Sequence, residues 1–138
     1  MNRALRTAPL ALVALLSACS SPAPAAAPHP SPTVLPACTK LPAPALPHSA
    51  GQLTERQNGV YCLPRGGRVD VFLTAAKRSD LWHPVKASGS VLTPTSTGVM
   101  TAPLDVRPAM FVGAEEGTAV LTSSTPSGST WRATIVVK

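Results

Sequence analysis

His83 is the one histidine in the part of the chain whose composition could fold, so hydrolytic chemistry would have to be built around it. A serine nucleophile needs a base within hydrogen-bond reach and a third group to orient that base. Asp80 and Asp70 could act as orienters and serines are plentiful, but there is no G-x-S-x-G stretch, and His83 beside Pro84 has the setting of a surface or strand-edge residue. Glu115 and Glu116 are adjacent, and consecutive side chains on a strand point apart. Ahead of Gly117 they read as a solvated turn and not as an acid and a base facing one substrate. Gly66 and Gly67 do not open a helix, so a phosphate cradle fails as well. Cys19, Cys38 and Cys62 lack the C-x-x-C spacing of a zinc or redox pair and have no histidine close by. These residues assemble no catalytic, metal or cofactor site, and an enzyme is not expected.

Cys19 has a different setting. Arg3 and Arg6 precede an apolar run, Ala8 to Leu16, long enough for the apolar region of an export signal and too short for a bilayer-spanning helix. The run ends in Leu16, Ser17, Ala18 and Cys19, which resembles the lipobox of bacterial lipoproteins. That resemblance implies a lipid thioether on Cys19, cleavage ahead of it, and a mature chain held on the extracytoplasmic face of the cell membrane. At about 0.8 kcal/mol per buried methylene, two or three acyl chains suffice for stable anchoring. Residues 1–18 are therefore expected to be a leader.

Residues 19–48 are expected to be a linker. Nine prolines lie between positions 20 and 48, with alanine in most of the gaps. Proline at that density excludes sheet ladders and helix interiors and favours extended polyproline II. His29 and His48 fall in this stretch and read as solvated. With Cys19 taken by lipid, Cys38 and Cys62 are left as an even pair in an oxidising compartment, and a disulfide is the simplest outcome. It would close a loop of about 25 residues, worth roughly 3 to 4 kcal/mol in the chain-entropy model. It would also pin the end of the linker to the first strand. Ser20 to Ala37 would stay free as a spacer of about 55 Å at the polyproline rise.

From residue 49 to 138 the pattern is that of a small all-β domain. Short β-branched runs are separated by Gly, Pro, Asn, Asp and Ser about every ten residues, as in a β-sandwich. Strands are expected over Gly59–Leu63, Arg68–Thr74, Leu81–Val85, Gly89–Leu92, Val99–Leu104, Ala109–Val112, Thr118–Ser123 and Thr130–Val137, some seven or eight in all. Alternation places Val69, Val71 and Leu73, then Ala119 and Leu121, then Trp131, Ala133, Ile135 and Val137 on core-facing sides. Trp82 is expected on the third strand. Residues 53–138 hold nine Lys and Arg against six Asp and Glu, too small a surplus for a nucleic-acid footprint.

The stretch Arg65 to Leu73 (RGGRVDVFL), then Gly117 to Leu121 (GTAVL) ahead of the Val-rich strand Trp131 to Val137, resembles a bacterial immunoglobulin-like domain. The chain is also similar to small lipoproteins of high-GC bacteria. Such a sandwich gathers three turns at one end and uses them for binding. Here they would carry Lys77, Arg78, Ser79, Asp80 and Leu81, then Thr95 to Gly98, then Ser124 to Thr130 with Ser127 and Gly128, followed by Trp131. The expected role is a membrane-anchored, non-catalytic binding or structural domain whose partner is a cell-envelope protein or anionic polymer. The alternative is a chagasin-like inhibitor of papain-type cysteine proteases, which uses the same three-loop arrangement. The sequence departs from that family: the first loop lacks N-P-T-T-G, the middle loop lacks a paired-Gly motif, and Trp131 follows Ser-Gly-Ser-Thr in place of Arg-Pro.

Overall fold

Alternating side chains close a core only when two sheets turn their apolar faces toward each other, and this is the arrangement found. The computed structural model describes residues 34–96 and 101–138. Nine strands lie among the described residues: β1 (Thr39–Lys40), β2 (Gly51–Thr54), β3 (Val60–Leu63), β4 (Arg68–Thr74), β5 (Lys86–Ala87), β6 (Leu92–Pro94), β7 (Val106–Gly113), β8 (Gly117–Ser124) and β9 (Thr130–Val137). One sheet has the order β1-β3-β9-β8-β5 and the other β2-β4-β7-β6. The β1–β3, β3–β9 and β2–β4 pairings are parallel and the others antiparallel. The fold is an immunoglobulin-like β-sandwich.

The inward faces are those that alternation assigns. Val69, Val71 and Leu73 on β4, Ala119 and Leu121 on β8, and Trp131, Ala133, Ile135 and Val137 on β9 are buried in one cluster with Leu53, Leu63 and Phe111. Each large aliphatic side chain so buried contributes about 1.5 to 3 kcal/mol. On the outward side of β4, Asp70 is fully buried as well. Its carboxylate accepts from Arg68 Nε at 2.7 Å and Nη2 at 3.2 Å, and Arg68 Nη2 also donates to the Pro47 carbonyl.

The folded part reaches back into the proline-rich segment. Thr39 and Lys40 pair with Tyr61 and Cys62, and Cys38 is bridged to Cys62, 24 positions away, with Cα atoms 5.1 Å apart. Leu41 joins the core, and the Pro42 carbonyl accepts from the Gln52 amide at 3.1 Å. Gly51 permits this approach, because a Cβ there would overlap Leu41. The expected bridge is present. β1 and β2 were not legible in the pattern: a two-residue strand and a four-residue one are too short to show a period.

Three expected strands differ. Leu81–Val85 is irregular: His83 donates its amide to the Ser124 carbonyl at 2.9 Å, but Pro84 has no N–H, and pairing resumes only at Lys86. Trp82 is thus buried from a loop and not from a strand. Its Nε1 donates to the Thr74 carbonyl at 3.1 Å, and its own carbonyl accepts from Arg107 Nε at 3.0 Å. Gly89–Leu92 contributes only Leu92, because Gly89 at φ +64° bends the chain away before β6 begins. Of Val99–Leu104, Val99 and Met100 lie outside the described residues. The rest is irregular up to the turn in which the Val106 amide donates to the Pro103 carbonyl, and β7 starts there.

Candidate functional site

Sheet register decides which loops share an end. Thr74, the last residue of β4, pairs with Val106, the first of β7. β6 runs toward that same end, since Leu92 pairs with Gly113 and Pro94 with Phe111. The β8–β9 hairpin closes there too, because His83, in the connection leaving β4, donates its amide to Ser124. Residues 75–85, 101–105 and 125–129 therefore lie at one end, and Thr95 and Ser96 lead toward it. The sequence-predicted middle loop is described at Thr95 and Ser96, whereas Thr97 and Gly98 lie outside the described residues.

The first and third loops are joined by a carboxylate. Asp80 Oδ1 accepts from the Ser127 amide at 2.9 Å, and Oδ2 accepts from the Ser127 hydroxyl. These two bonds, aided by Thr125 and Lys77 and opposed by burial, hold the Asp80 carboxyl below its ordinary range. The hairpin itself is internally tied. The Gly128 amide donates to the Thr125 carbonyl, the Ser129 amide donates to Thr125 Oγ1, and Gly128 takes φ +97°, a conformation that favours glycine. A depression of about 550 Å³ between the two loops brings together Lys77, Ser79, Asp80 and Ser127. Arg78 is exposed beside it.

Trp131 is placed differently from the expectation that groups it with the contact residues. It is 4% exposed, it packs in the core, and its Nε1 donates to the Gln57 carbonyl at 2.9 Å. Its position on the inward side of β9, opposite Ser123, accounts for this. It supports the hairpin from beneath and is not one of the exposed loop residues.

Leu81 and Leu104 supply the apolar surface. The exposed large hydrophobic side chains among the described residues are Val34, Leu81 and Leu104, and the two leucines flank one cleft of about 300 Å³ at the loop end. Leu104 is 81% exposed. Sequence reading places it in a strand; the Pro103-Leu104-Asp105 order is the turn signal that could have placed it in a loop.

The residues around His83 do not complete a hydrolytic set. His83 Nδ1 lies 3.3 Å from Ser124 Oγ. Both aspartates that could orient the ring are engaged elsewhere, Asp80 with Ser127 and Asp70 with Arg68.

No protein-family model matches the sequence, and no curated protein matches it either. The fold is similar to that of the cysteine protease inhibitor EhICP2 from Entamoeba histolytica. The TM-score is 0.50 and the identity 12%, over 63% of this chain and 93% of that one. Amebosin, known from a solution structure, is more distant in shape, with a TM-score of 0.44 at 17% identity over 63% of this chain and 96% of that one. At 12% identity the likeness to EhICP2 is one of fold.

Proposed function

We propose that this chain is a lipid-anchored, extracytoplasmic inhibitor of a papain-type cysteine protease, and that its loop end occupies the enzyme's cleft. The observation that carries the reading is the exposure of Leu81 and Leu104 around one cleft, beside loops locked by Asp80 and Ser127. Apolar side chains on loops already fixed in place lose little freedom on docking, so more of their contact energy becomes affinity. The sandwich shared with a cysteine protease inhibitor supports the class of partner. Because the three family loop motifs are absent, the contacts are assigned to Leu81, Leu104, Lys77 and Ser127. The apolar run and the Leu16-Ser17-Ala18-Cys19 tetrapeptide support anchoring through Cys19.

The test uses the chain with Cys19→Ser, exported and purified, against a panel of papain-type proteases. Reversible, active-site-directed inhibition is expected. Leu81→Glu combined with Leu104→Glu should weaken it by about tenfold or more, since central apolar anchors dominate interface energy. Absence of inhibition across the panel, or inhibition indifferent to the leucine pair, overturns the reading.

A further inference from the structure

The five-stranded sheet has a one-sided charge. Its strands contain Lys40, Lys86 and Arg132 and not one Asp or Glu. Lys86 pairs with Thr122, and Thr122 pairs with Arg132, so the three stand in one row across β5, β8 and β9. All three are exposed on the outward face. Adjacent strands lie about 4.8 Å apart, which sets the two cations roughly 10 Å apart at the backbone, with the Thr122 hydroxyl between them. Long side chains of this kind can converge on one anion. Among the described residues the one ion pair is Arg68 with Asp70, so neither Lys86 nor Arg132 is neutralised.

The row lies in a groove of about 500 Å³, to which His83, Ser124 and Thr130 add polar groups and no residue adds a negative charge. Its floor along β8 is two outward positions long, Thr122 and Ser124, or about 7 Å. That length accommodates one or two anionic side chains and not a long polymer. An arginine fork takes a carboxylate through two parallel hydrogen bonds, the lysine adds a point charge, and the hydroxyls donate to the remaining lone pairs. At Ser124 and Thr130 the groove opens onto the stem of the hairpin that belongs to the loop end.

We propose that this groove is a carboxylate-binding subsite for an acidic segment of the protein partner, adjoining the loop contact. The partner's nature rests on the inhibitor reading, whereas the chemistry of the groove does not. A labelled oligoglutamate peptide, titrated with the full chain and followed by fluorescence anisotropy at low salt, reads the groove directly. Lys86→Ala with Arg132→Ala should weaken binding by about tenfold or more, and added salt should weaken the unaltered chain in the same way. Arg56→Ala with Arg65→Ala, both exposed and outside the groove, should leave it within about twofold. Both substituted groove residues are exposed, and near-ultraviolet circular dichroism of Trp82 and Trp131 checks that the variant is folded. Unchanged binding by the groove variant overturns the proposal. So does capture of inorganic polyphosphate with no binding of oligoglutamate, which would make the site one for phosphate. A chain that binds oligoglutamate through the groove but inhibits no cysteine protease keeps the subsite and removes the protease as its partner. Inhibition without oligoglutamate binding removes the subsite alone.

Discussion

Asp80 accepts two hydrogen bonds from Ser127, across 47 positions of sequence, and so makes one rigid unit of two loops. The folded carboxyl titrates below its ordinary value of 3.8, chiefly because the Ser127 hydroxyl and amide favour the charged form. The sign follows from linkage: with the folded value depressed, the clamp contributes fully above the unfolded value and is lost as pH falls through the folded one. A pH titration of the Ser127 amide by NMR should therefore show a midpoint under 3.8, absent in Asp80→Asn. A midpoint at or above that value would count against the clamp. Trp131 works from below the same hairpin. Trp131→Ala should cost about 3 to 5 kcal/mol in urea unfolding, and Trp131→Phe about 1 to 2, because the latter keeps most of the packing and loses the bond to Gln57. A loss under about 1 kcal/mol for the alanine variant would contradict its place in the core.

At the scale of elements, β1 is the weak member. Two residues supply its pairing with β3, and the chain beyond it is held by Leu41, by the Pro42–Gln52 hydrogen bond and by the bridge to Cys62. Replacing both Cys38 and Cys62 with Ala should lower stability by about 3 kcal/mol. Amide exchange at Gln52 should rise with it, as the proline-rich strand frays. Equal denaturation midpoints with and without reductant would show that the bridge adds nothing. The hairpin joining β8 and β9 has the opposite character, since its long strands and its own internal hydrogen bonds hold it without a covalent tie.

For the whole molecule, the proposal couples an anchor, a spacer and a domain that carries its contact residues at one end. Cys19→Ala should move the protein from the membrane fraction to the soluble extracytoplasmic fraction, because the acyl chains are the proposed source of membrane affinity. Unchanged fractionation would remove the anchor from the reading and leave the domain untouched. Among the described residues no helix is long and apolar enough to cross a membrane. The folded part also separates its surfaces: apolar leucines at the loop end, and a cationic outer face on the five-stranded sheet. Two faces of different chemistry on one small sandwich let affinity and charge steering come from separate residues.

Period-two alternation is a local property, and it was enough to place β4, β8 and β9 and to orient Val69, Leu121 and Ile135 toward the core before any partner strand was known. Trp131 is put inside by the alternation of β9; grouping it with the loop contacts runs against that pattern, and its burial bears the alternation out. Once the lipobox-like tetrapeptide set Cys19 aside, parity picked out Cys38 and Cys62. The lipobox-like tetrapeptide is likewise readable in four consecutive residues. Tertiary structure decided the rest, because it depends on which strands lie side by side and in what register. Leu104 reads as strand until the turn at Pro103 exposes it. Lys86 and Arg132 are 46 positions apart and meet only across Thr122, and Asp80 finds Ser127 only when two loops dock. Burial along one strand leaves its mark on that strand's own sequence, whereas proximity between segments is set by register and docking, which no single segment encodes.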